Sequence, residues 1–398
     1  MAPADENTHI RDSEHDRQYY VDWLRVLGML VVFLFHCGRF FNDEDWHVKN
    51  PQTSYGVTIV LAIVGQWMMP LFFVLSGMSA YYSLGHQNWS KYIVSRLKRL
   101  VVPLIFGTFV LIAPLEVYLE RLSHQQFAGS FWQFYPYYFD GWYGYGGNFA
   151  WMGIHLWYLE VLFVFSLIML PLFIYLKSNT ATALLSKTTM FLRKPGCIFL
   201  LAIPIAAMEY IANLPAVSHT TLGTRAFGGW SILPYLVFFT LGYIIASDLK
   251  FGPVIEKQRI AALMTGVCIT ALGFFLVESG YPLPGWLLAL LRAFNAWAWL
   301  VAICGFGTRH LNFSNRFLIY ANEAVLPFYI LHQTIILTIG FYIVQLDMAI
   351  STKYLIIAVI SLFAIIALYD LLIKRTNILR FLFGMKLISH KSASEQSQ

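Results

Sequence analysis

Ten long apolar runs constrain this chain more than any other feature of its sequence. Each is long enough for a helix to cross the roughly 30 Å hydrocarbon core of a bilayer. They lie near residues 23–41, 57–84, 100–120, 154–176, 195–213, 228–247, 260–277, 286–306, 318–345 and 355–373. Only 12% of the 398 residues are charged, against about 25% in soluble domains. The sequence therefore predicts an all-α fold, a polytopic membrane helix bundle of about ten transmembrane helices.

Polarity divides the chain into three parts. We expect a polar N-terminal segment at 1–20, a transmembrane domain at 21–375 and a polar tail at 376–398. The N-terminal segment lacks the basic-then-apolar pattern of a cleaved signal peptide. We therefore expect the first helix to be retained.

Lysine and arginine indicate the orientation of the bundle. With both termini in the cytoplasm, most of the 27 Lys and Arg residues fall in cytoplasmic segments, and few lie in outer loops: Arg39, Lys49, Arg121, Arg225 and Lys353. Because cytoplasmic loops are enriched in these residues, cytoplasmic termini are favoured. The net charge of +6 has the same origin, so no nucleic-acid partner is expected.

Two ionisable residues of the first apolar run, Arg25 and His36, are the strongest candidates for chemistry. They are eleven residues apart, which on a helix places them within about 20° of one face and about 16 Å apart along the axis. Asp22 falls within about 40° of the same line. Ionisable groups inside a bilayer usually face the bundle interior or a watery cavity. The alternative is an arginine and a histidine that simply reach the two interfaces.

A second group lies at the cytoplasmic ends of segments two and three. Arg96 and Arg99 are neighbours on a helix, and paired guanidinium groups suit a phosphate, although cytoplasmic loops are basic in any case. Ser76 and Gly77 are small residues that let helices pack closely, and they also leave room for a thin ligand. With Arg25, the arginine pair indicates a site for an anionic ligand.

The remaining candidates lie toward the outer side. His332 is at about the depth of His36, which favours one cavity shared by both histidines, although a lone histidine is more often a core residue. Five further candidates flank the outer ends of segments one and four: Trp46, His47, His155, Trp157 and Glu160. We expect Glu160 to form a buried ion pair with Arg292.

Several familiar chemistries find no support in the sequence. The four cysteines stand singly, without metal-like spacing to histidine, so no metal site is expected. The motifs of serine hydrolases, zinc peptidases, P-loop proteins and Rossmann folds do not occur. We expect no permanently bound cofactor.

Five sequence strings follow one another in an order typical of one protein family: YVDWLR at 20–25, LFFVLSGM at 71–78, RLKRLVVP at 96–103, HLWYL at 155–159 and LPFYILHQ at 326–333. With the R-x10-H spacing of Arg25 and His36, they make the chain resemble the acyltransferase 3 family of integral membrane acyltransferases. The resemblance covers nearly the whole chain. Met78 departs from it, because the family has phenylalanine in this SGF segment.

The resemblance implies a membrane O-acyltransferase of the cell (inner) membrane, in contact with membrane lipid. Such an enzyme moves an acyl group, succinyl or acetyl, from cytoplasmic acyl-CoA to a hydroxyl of an extracytoplasmic carbohydrate such as a periplasmic glucan. The residues expected to hold acyl-CoA, the donor substrate, are Arg25, Arg96, Arg99 and Ser76.

The resemblance also implies catalytic roles. His36 is then a general base or an acyl-carrying nucleophile, and His332 or Glu160 orients it. Asp22 is expected to be a structural partner of Arg25. The residues expected to contact the acceptor are Trp46, His47, His155 and Trp157.

Two other functions fit the same residues. One is a transporter or flippase of a glycan or lipid, in which Arg25, Glu160 and Arg292 form a charge relay. The other is a non-catalytic sensor on an acyltransferase scaffold. Acyl transfer by the purified protein would distinguish an enzyme from a transporter. No feature of the sequence indicates an oligomeric state.

Overall fold

Helices account for nearly all of the regular structure of the protein. The computed structural model describes residues 18–388 except Leu111 and the side chain of Leu184. Within these residues there is no β-strand, only isolated bridges in loops. The α-helices are α1 (Tyr19–Gly38), α2 (Tyr55–Gly65), α3 (Met68–His86), α4 (Trp89–Arg96), α5 (Val102–Phe109), α6 (Ile112–Ser123), α7 (Phe131–Phe134), α8 (Trp157–Ile168), α9 (Leu170–Leu176), α10 (Asn179–Leu192), α11 (Ala202–Ala212), α12 (Pro215–Ser218), α13 (Ile232–Ser247), α14 (Phe251–Ser279), α15 (Gly285–His310), α16 (Arg316–Ile343), α17 (Ile350–Leu368) and α18 (Asn377–Leu382). The all-α class is confirmed.

Two helices continue into wider π-helical turns, and three short 3-10 turns lie between helices. The π turn at Leu97–Val101 joins α4 to α5, and the one at Tyr369–Ile373 follows α17. The 3-10 turns are Tyr137–Phe139, Ile154–Leu156 and Cys197–Leu201. The first π turn contains Arg99 and ends two residues before Pro103, whose ring would otherwise crowd the carbonyl of Arg99, four residues earlier.

The described chain has seven stretches long and apolar enough to cross a membrane: Tyr19–Gly38, Tyr55–His86, Trp89–Ser123, Phe251–Ser279, Gly285–His310, Arg316–Ile343 and Ile350–Ile373. Helices α8 and α9, bent by 51°, make an eighth if they form one span. The other two expected spans correspond to the shorter apolar helices Cys197–Ala212 and Ile232–Ser247. A multi-pass membrane protein is confirmed, and the number ten stays a prediction.

The expected terminal segments are only partly within the described residues. Residues 1–17 and 389–398 lie outside them, and the cytoplasmic location of both termini stays a prediction. Within the expected tail, α18 packs on the bundle, because Arg380 pairs with Glu323 at 2.8 Å and Phe383 lies 5.8 Å from the ring of Phe106.

Helix α1, which carries Arg25 and His36, lies inside the bundle rather than at its edge. It contacts α3, α15, α16 and α17. Its buried residues recur on several sides of the helix, among them Val21, Met29 and Phe33. The polar stripe of α1 therefore faces other protein helices, as the cost of ionisable groups in lipid requires.

Helices α3 and α13 approach each other through two glycines. A Cβ atom at Gly77 would lie 1.9 Å from the carbonyl oxygen of Phe239, and one at Gly242 would lie 2.0 Å from that of Val74. No side chain fits in either gap. The close packing that the small residues of segment two predict is present here.

The Gly77→Ala substitution is expected to destabilise the protein by about 1–3 kcal/mol, because the added methyl group forces the two helices apart. Its measure is the midpoint of thermal unfolding of the purified protein in detergent. Gly273→Ala in α14 is the matched control, since nothing lies within 4 Å of a Cβ atom there and alanine is favoured in helices by about 1 kcal/mol. Equal midpoints for the two variants would contradict the contact.

Candidate active site

A cavity of about 1290 Å³ opens between α1, α3, α8, α13 and α16. Its wall carries six basic and two acidic side chains: Arg25, Arg96, Arg99, Lys177, Lys250, Lys386, Asp22 and Asp248. Because like charges lining a cleft concentrate ions of the opposite sign, the excess of positive charge suits an anionic ligand.

Charge is unevenly distributed along this cavity. One end, which we call the basic mouth, is formed by Arg96, Arg99, Lys177, Lys250 and Lys386. The other, which we call the inner end, is formed by Met29, Val32, Phe72, Tyr158 and Tyr329. Along α1 the lining changes from Asp22 and Arg25 to apolar residues within two turns. A molecule with an anionic head and a thin uncharged arm fits this distribution.

Arg25 is held on one side of the cavity by three hydrogen bonds. Its guanidinium group donates to Asp22 Oδ1 at 2.9 Å, to Asn322 Oδ1 at 3.1 Å and to Ser79 Oγ at 2.7 Å. Asp22 is thus the structural partner that the sequence predicts. Arg25 pairs with a single carboxylate among the described residues. Its guanidinium group can therefore also bind an anionic ligand.

Arg96 and Arg99 line the basic mouth. Asp22, the carboxylate partner of Arg25, also interacts electrostatically with Arg99. The guanidinium carbon of Arg96 lies 4.8 Å from the centre of the Tyr92 ring, and its Nε atom is buried without a hydrogen-bond partner within the described part of the chain. Arg25 and Arg96 both interact electrostatically with Arg99. Three guanidinium groups with so little compensation suit a phosphate-rich ligand.

Ser76 lies nearer the inner end of the same cavity. Its Oγ atom is 2.6 Å from the hydroxyl oxygen of Tyr158, which also donates to the carbonyl oxygen of Phe72 at 3.3 Å. The structure therefore brings Ser76, Arg25, Arg96 and Arg99 to one cavity, as the sequence predicts for them. Tyr158 and Tyr329 were not singled out from the sequence.

His36 and His332 are in contact just beyond the inner end. Their ring centres are 4.9 Å apart, and His332 Nε2 is 3.3 Å from His36 Nδ1. His36 Nδ1 is also 2.9 Å from the carbonyl oxygen of Val32. Because a carbonyl oxygen can only accept a hydrogen bond, we assign the proton of His36 to Nδ1. His36 Nε2 then carries a lone pair, and it has no hydrogen-bond partner among the described residues.

The sequence predicts one cavity shared by the two histidines; their rings are in contact, but neither ring lines this cavity. The cavity wall ends at Val32 and Tyr329, whose carbonyl oxygens accept from the Nδ1 atoms of His36 and His332 at 2.9 Å and 2.6 Å. Val32 is four residues before His36, about 6 Å along the helix. The inner end thus lies one helical turn from the histidine pair.

A fully buried carboxylate, Glu116 on α6, lies behind the histidines and was missed from the sequence. It is 2.9 Å from His155 Nδ1 and accepts from Thr334 Oγ1 at 2.6 Å and Gln333 Nε2 at 3.2 Å. The ring centres of His155 and His332 are 5.0 Å apart. The sequence did contain a signal for Glu116, because it is an ionisable residue inside an apolar run. The same signal identified Arg25.

The expected ion pair between Glu160 and Arg292 is wrong. Arg292 Nε lies 3.5 Å from Glu209 Oε1, and its guanidinium group also donates to the carbonyl oxygen of Gly229. Glu160 Oε2 is buried with no hydrogen-bond partner in the described part of the chain. Glu209 lies on α11, which packs against α15, the helix of Arg292. Helix packing therefore brings Glu209, and not Glu160, to Arg292. Glu160 makes no hydrogen bond to His36, and no contact supports an orienting role for it.

Trp46 and His47 lie on the side of the histidine pair that faces away from the cavity. The Trp46 ring centre is 6.1 Å from that of His36. His47 pairs with Glu120, which also accepts from the Tyr143 hydroxyl at 2.6 Å. Burial and the Glu120 carboxylate raise the pKa of Tyr143 well above its ordinary value, so this hydroxyl stays a donor. The aromatic-rich loop at residues 131–151, which contains Tyr143, is thereby attached beside Trp46 and His47.

Trp157 lies apart from the histidines, in an aromatic cluster. Its ring centre is 5.3 Å from that of Phe227 and 5.8 Å from that of Tyr235. It does not line the cavity. Of the four residues expected to contact the acceptor, Trp46 and His155 lie next to the histidine pair, His47 lies one contact further out, and Trp157 packs in the protein core.

Comparison with known proteins gives one family over most of the chain. A family model described as an acyltransferase domain matches residues 18–373. The glucans biosynthesis protein C of Salmonella schwarzengrund is 24% identical over 377 residues, which are 93% of this chain and 95% of that protein. Proteins of the same name from Salmonella typhimurium and Escherichia coli O157:H7 are 25% and 26% identical over the same shares. No solved structure matches the chain.

The Tyr143→Phe substitution tests how the outer loop is fixed. It removes the hydrogen bond to Glu120 and is expected to cost about 1.5 kcal/mol or more, because the acceptor is a partly buried carboxylate. The measure is the midpoint of thermal unfolding. Tyr145→Phe is the matched control, because Tyr145 is 87% exposed and its hydroxyl makes no hydrogen bond within the described residues. A Tyr143→Phe midpoint equal to that of Tyr145→Phe would contradict this attachment.

Proposed function

The chain belongs to the acyltransferase 3 family and is a multi-pass membrane acyltransferase, and from this premise we propose the donor, the acceptor and the chemistry. The donor is a cytoplasmic acyl-CoA, and the acceptor is a hydroxyl of a carbohydrate on the outer side of the cell (inner) membrane. One observation carries the proposal: a cavity with a basic mouth ends one helical turn from His36.

The shape of coenzyme A matches the charge distribution of this cavity. Coenzyme A carries its phosphates at one end and the thioester at the tip of a long, uncharged pantetheine arm. Phosphates at Arg96, Arg99 and Arg25 have the charge-assisted hydrogen bonds they require. The arm then runs past Ser76 to the inner end, which brings the thioester to about one helical turn from His36.

His36 Nε2 is the proposed general base. It takes the proton of the sugar hydroxyl while that oxygen attacks the thioester carbonyl and forms the new C–O bond. When the tetrahedral intermediate collapses, the C–S bond breaks and the imidazolium returns the proton to the departing sulfur. The products are an ester and the thiol of coenzyme A. The single His36 Nδ1 proton is shared between the carbonyl oxygen of Val32 at 2.9 Å and His332 Nε2 at 3.3 Å, and both acceptors support the transient positive charge.

A glucan is the proposed acceptor, and the acyl group is succinyl or acetyl. The relatives named above have glucan biosynthesis in their names. The outer loop that Tyr143 ties to Glu120 is rich in exposed aromatic rings, including Trp132 and Trp142. Such rings can stack on the faces of sugars, which supports a carbohydrate beside Trp46.

The His36→Ala substitution tests the assignment of the base. We expect transfer to fall by about 10²- to 10⁴-fold, the contribution of general base catalysis, with the protein level unchanged. The measure is mass spectrometry of the glucans from cells that express the variant. His124→Ala is the control, because His124 is exposed in the outer loop. Unchanged acylation in the His36 variant would refute the mechanism, and an acyl adduct on His36 of the wild type would make it a nucleophile instead.

The arginines of the basic mouth are tested by Arg96→Gln and Arg99→Gln. Each is expected to raise the KM for acyl-CoA about tenfold and to change kcat little, because the phosphates are bound equally in the ground and transition states. Thiol release by the purified protein gives both constants. Lys98→Gln is the matched control, since Lys98 lies between them without lining the cavity. An equal effect of all three would show that general positive charge is responsible.

A further inference from the structure

His155 is surrounded by hydrogen-bond acceptors at both ring nitrogens. Its Nδ1 atom is 2.9 Å from a carboxylate oxygen of Glu116. Its Nε2 atom is 3.2 Å from the carbonyl oxygen of Tyr329 and 3.1 Å from that of Ile330. A neutral imidazole carries only one N–H group. Both nitrogens donate only if His155 is an imidazolium cation.

Glu116 supplies the matching negative charge. Its side chain is 0% exposed, and its two oxygens have donors in Thr334, Gln333 and His155. A protonated carboxyl group would offer one oxygen as a donor, yet the amide and the imidazolium around it need acceptors. Buried charges persist when they are paired and hydrogen-bonded. Glu116 and His155 therefore form a buried ion pair directly behind His332.

The positive end of this pair faces His332. The two rings are 5.0 Å apart between centres, so a second positive charge on His332 would be repelled at short range. A neutral His332 donates from Nδ1 to the carbonyl oxygen of Tyr329 and keeps a lone pair on Nε2. That lone pair points to His36 Nδ1 at 3.3 Å.

The other ionisable groups near the histidine pair have partners of their own. Arg39, on the outer side of His36, pairs with Glu44, and His47 pairs with Glu120. Glu120 also accepts from Arg121 at 3.2 Å. The other neighbours of His332, Tyr329 and His36, carry no fixed charge. The Glu116–His155 pair is thus the charged group in direct contact with His332 among the described residues.

We propose that Glu116 is a positioning residue: through its ion pair with His155, it keeps His332 neutral and aligned as the hydrogen-bond acceptor for His36 Nδ1. His36 then presents an unprotonated Nε2 atom to the sugar hydroxyl. The proposal deepens the proposed function and rests on it. Glu116 itself touches neither substrate.

The kinetic test uses Glu116→Gln in the full-length purified protein, with acetyl-CoA and succinyl-CoA as donors and glucan oligosaccharides as acceptors. The amide keeps the shape of the side chain and removes its charge. We expect kcat to fall at least about tenfold, the lower end of what partners that orient metal-binding histidines contribute, with both KM values changed little. The thermal midpoint is expected to fall as it does in other buried pairs that lose one partner. Glu209→Gln is the matched control, because Glu209 is equally buried and pairs with Arg225 and Arg292 instead.

A double substitution separates positioning from mere packing. If Glu116 acts through the charge of His155, then Glu116→Gln should have almost no further effect on kcat in a His155→Asn background. A loss of kcat that is the same in both backgrounds would overturn the proposal. So would a Glu116→Gln variant that raises both KM values and lowers kcat no more than Glu209→Gln does.

A second measurement does not depend on turnover. Nitrogen-15 NMR of histidine-labelled protein in lipid distinguishes imidazolium from neutral rings. At mildly alkaline pH we expect one imidazolium signal that is absent from both His155→Asn and Glu116→Gln but present in Glu209→Gln. A neutral His155 in the wild type would overturn the proposal. A wild type that shows the signal but transfers no acyl group would instead count against the proposed function.

Discussion

Helices α1 and α16 run in the same direction and are joined at two depths. At one level Arg25 donates to Asn322, and about three turns further on the His36 ring contacts His332. Because the two contacts are eleven residues apart on α1 and ten on α16, a shift of one helix by a turn would break both. These two contacts fix the distance between Arg25 and the histidine pair along the helices, and so the length of ligand that can connect them.

The same constraint explains how charge is distributed along the cavity. Ionisable groups cost least near the ends of membrane helices, where they reach water. The cationic side chains of the wall accordingly gather at the basic mouth, and hydroxyl and apolar groups line the inner end. A donor whose charge is at one end and whose reactive bond is at the other can be held by such a wall without a charge deep in the membrane.

Two fully buried carboxylates show how this protein keeps deeper charges. Glu116 is satisfied by donors from α16 and by His155, and Oε1 of Glu209 pairs with Arg225 and Arg292, whereas its Oε2 has no hydrogen-bond partner among the described residues. Without water in the bilayer core, each such group must find its partners on other segments of the protein. The carboxylates therefore connect different helices through hydrogen bonds and ion pairs. The connection made by Glu116 lies directly behind the histidine pair.

Hydropathy and helical period are local properties, and they correctly predicted an all-α membrane fold, while the number of ten spans stays a prediction. The apolar runs gave the all-α membrane fold, and the spacing of Arg25 and His36 put both on a face turned into the bundle. The arginines expected to hold a phosphate do line one cavity. What the sequence could not give is which groups of different helices meet. A period of 3.6 residues describes one helix and not the contacts between two. The neighbours and the rotation of each helix therefore decided three contacts that the sequence did not predict. Glu116 pairs with His155, Arg292 pairs with Glu209 rather than Glu160, and Trp157 packs in an aromatic cluster.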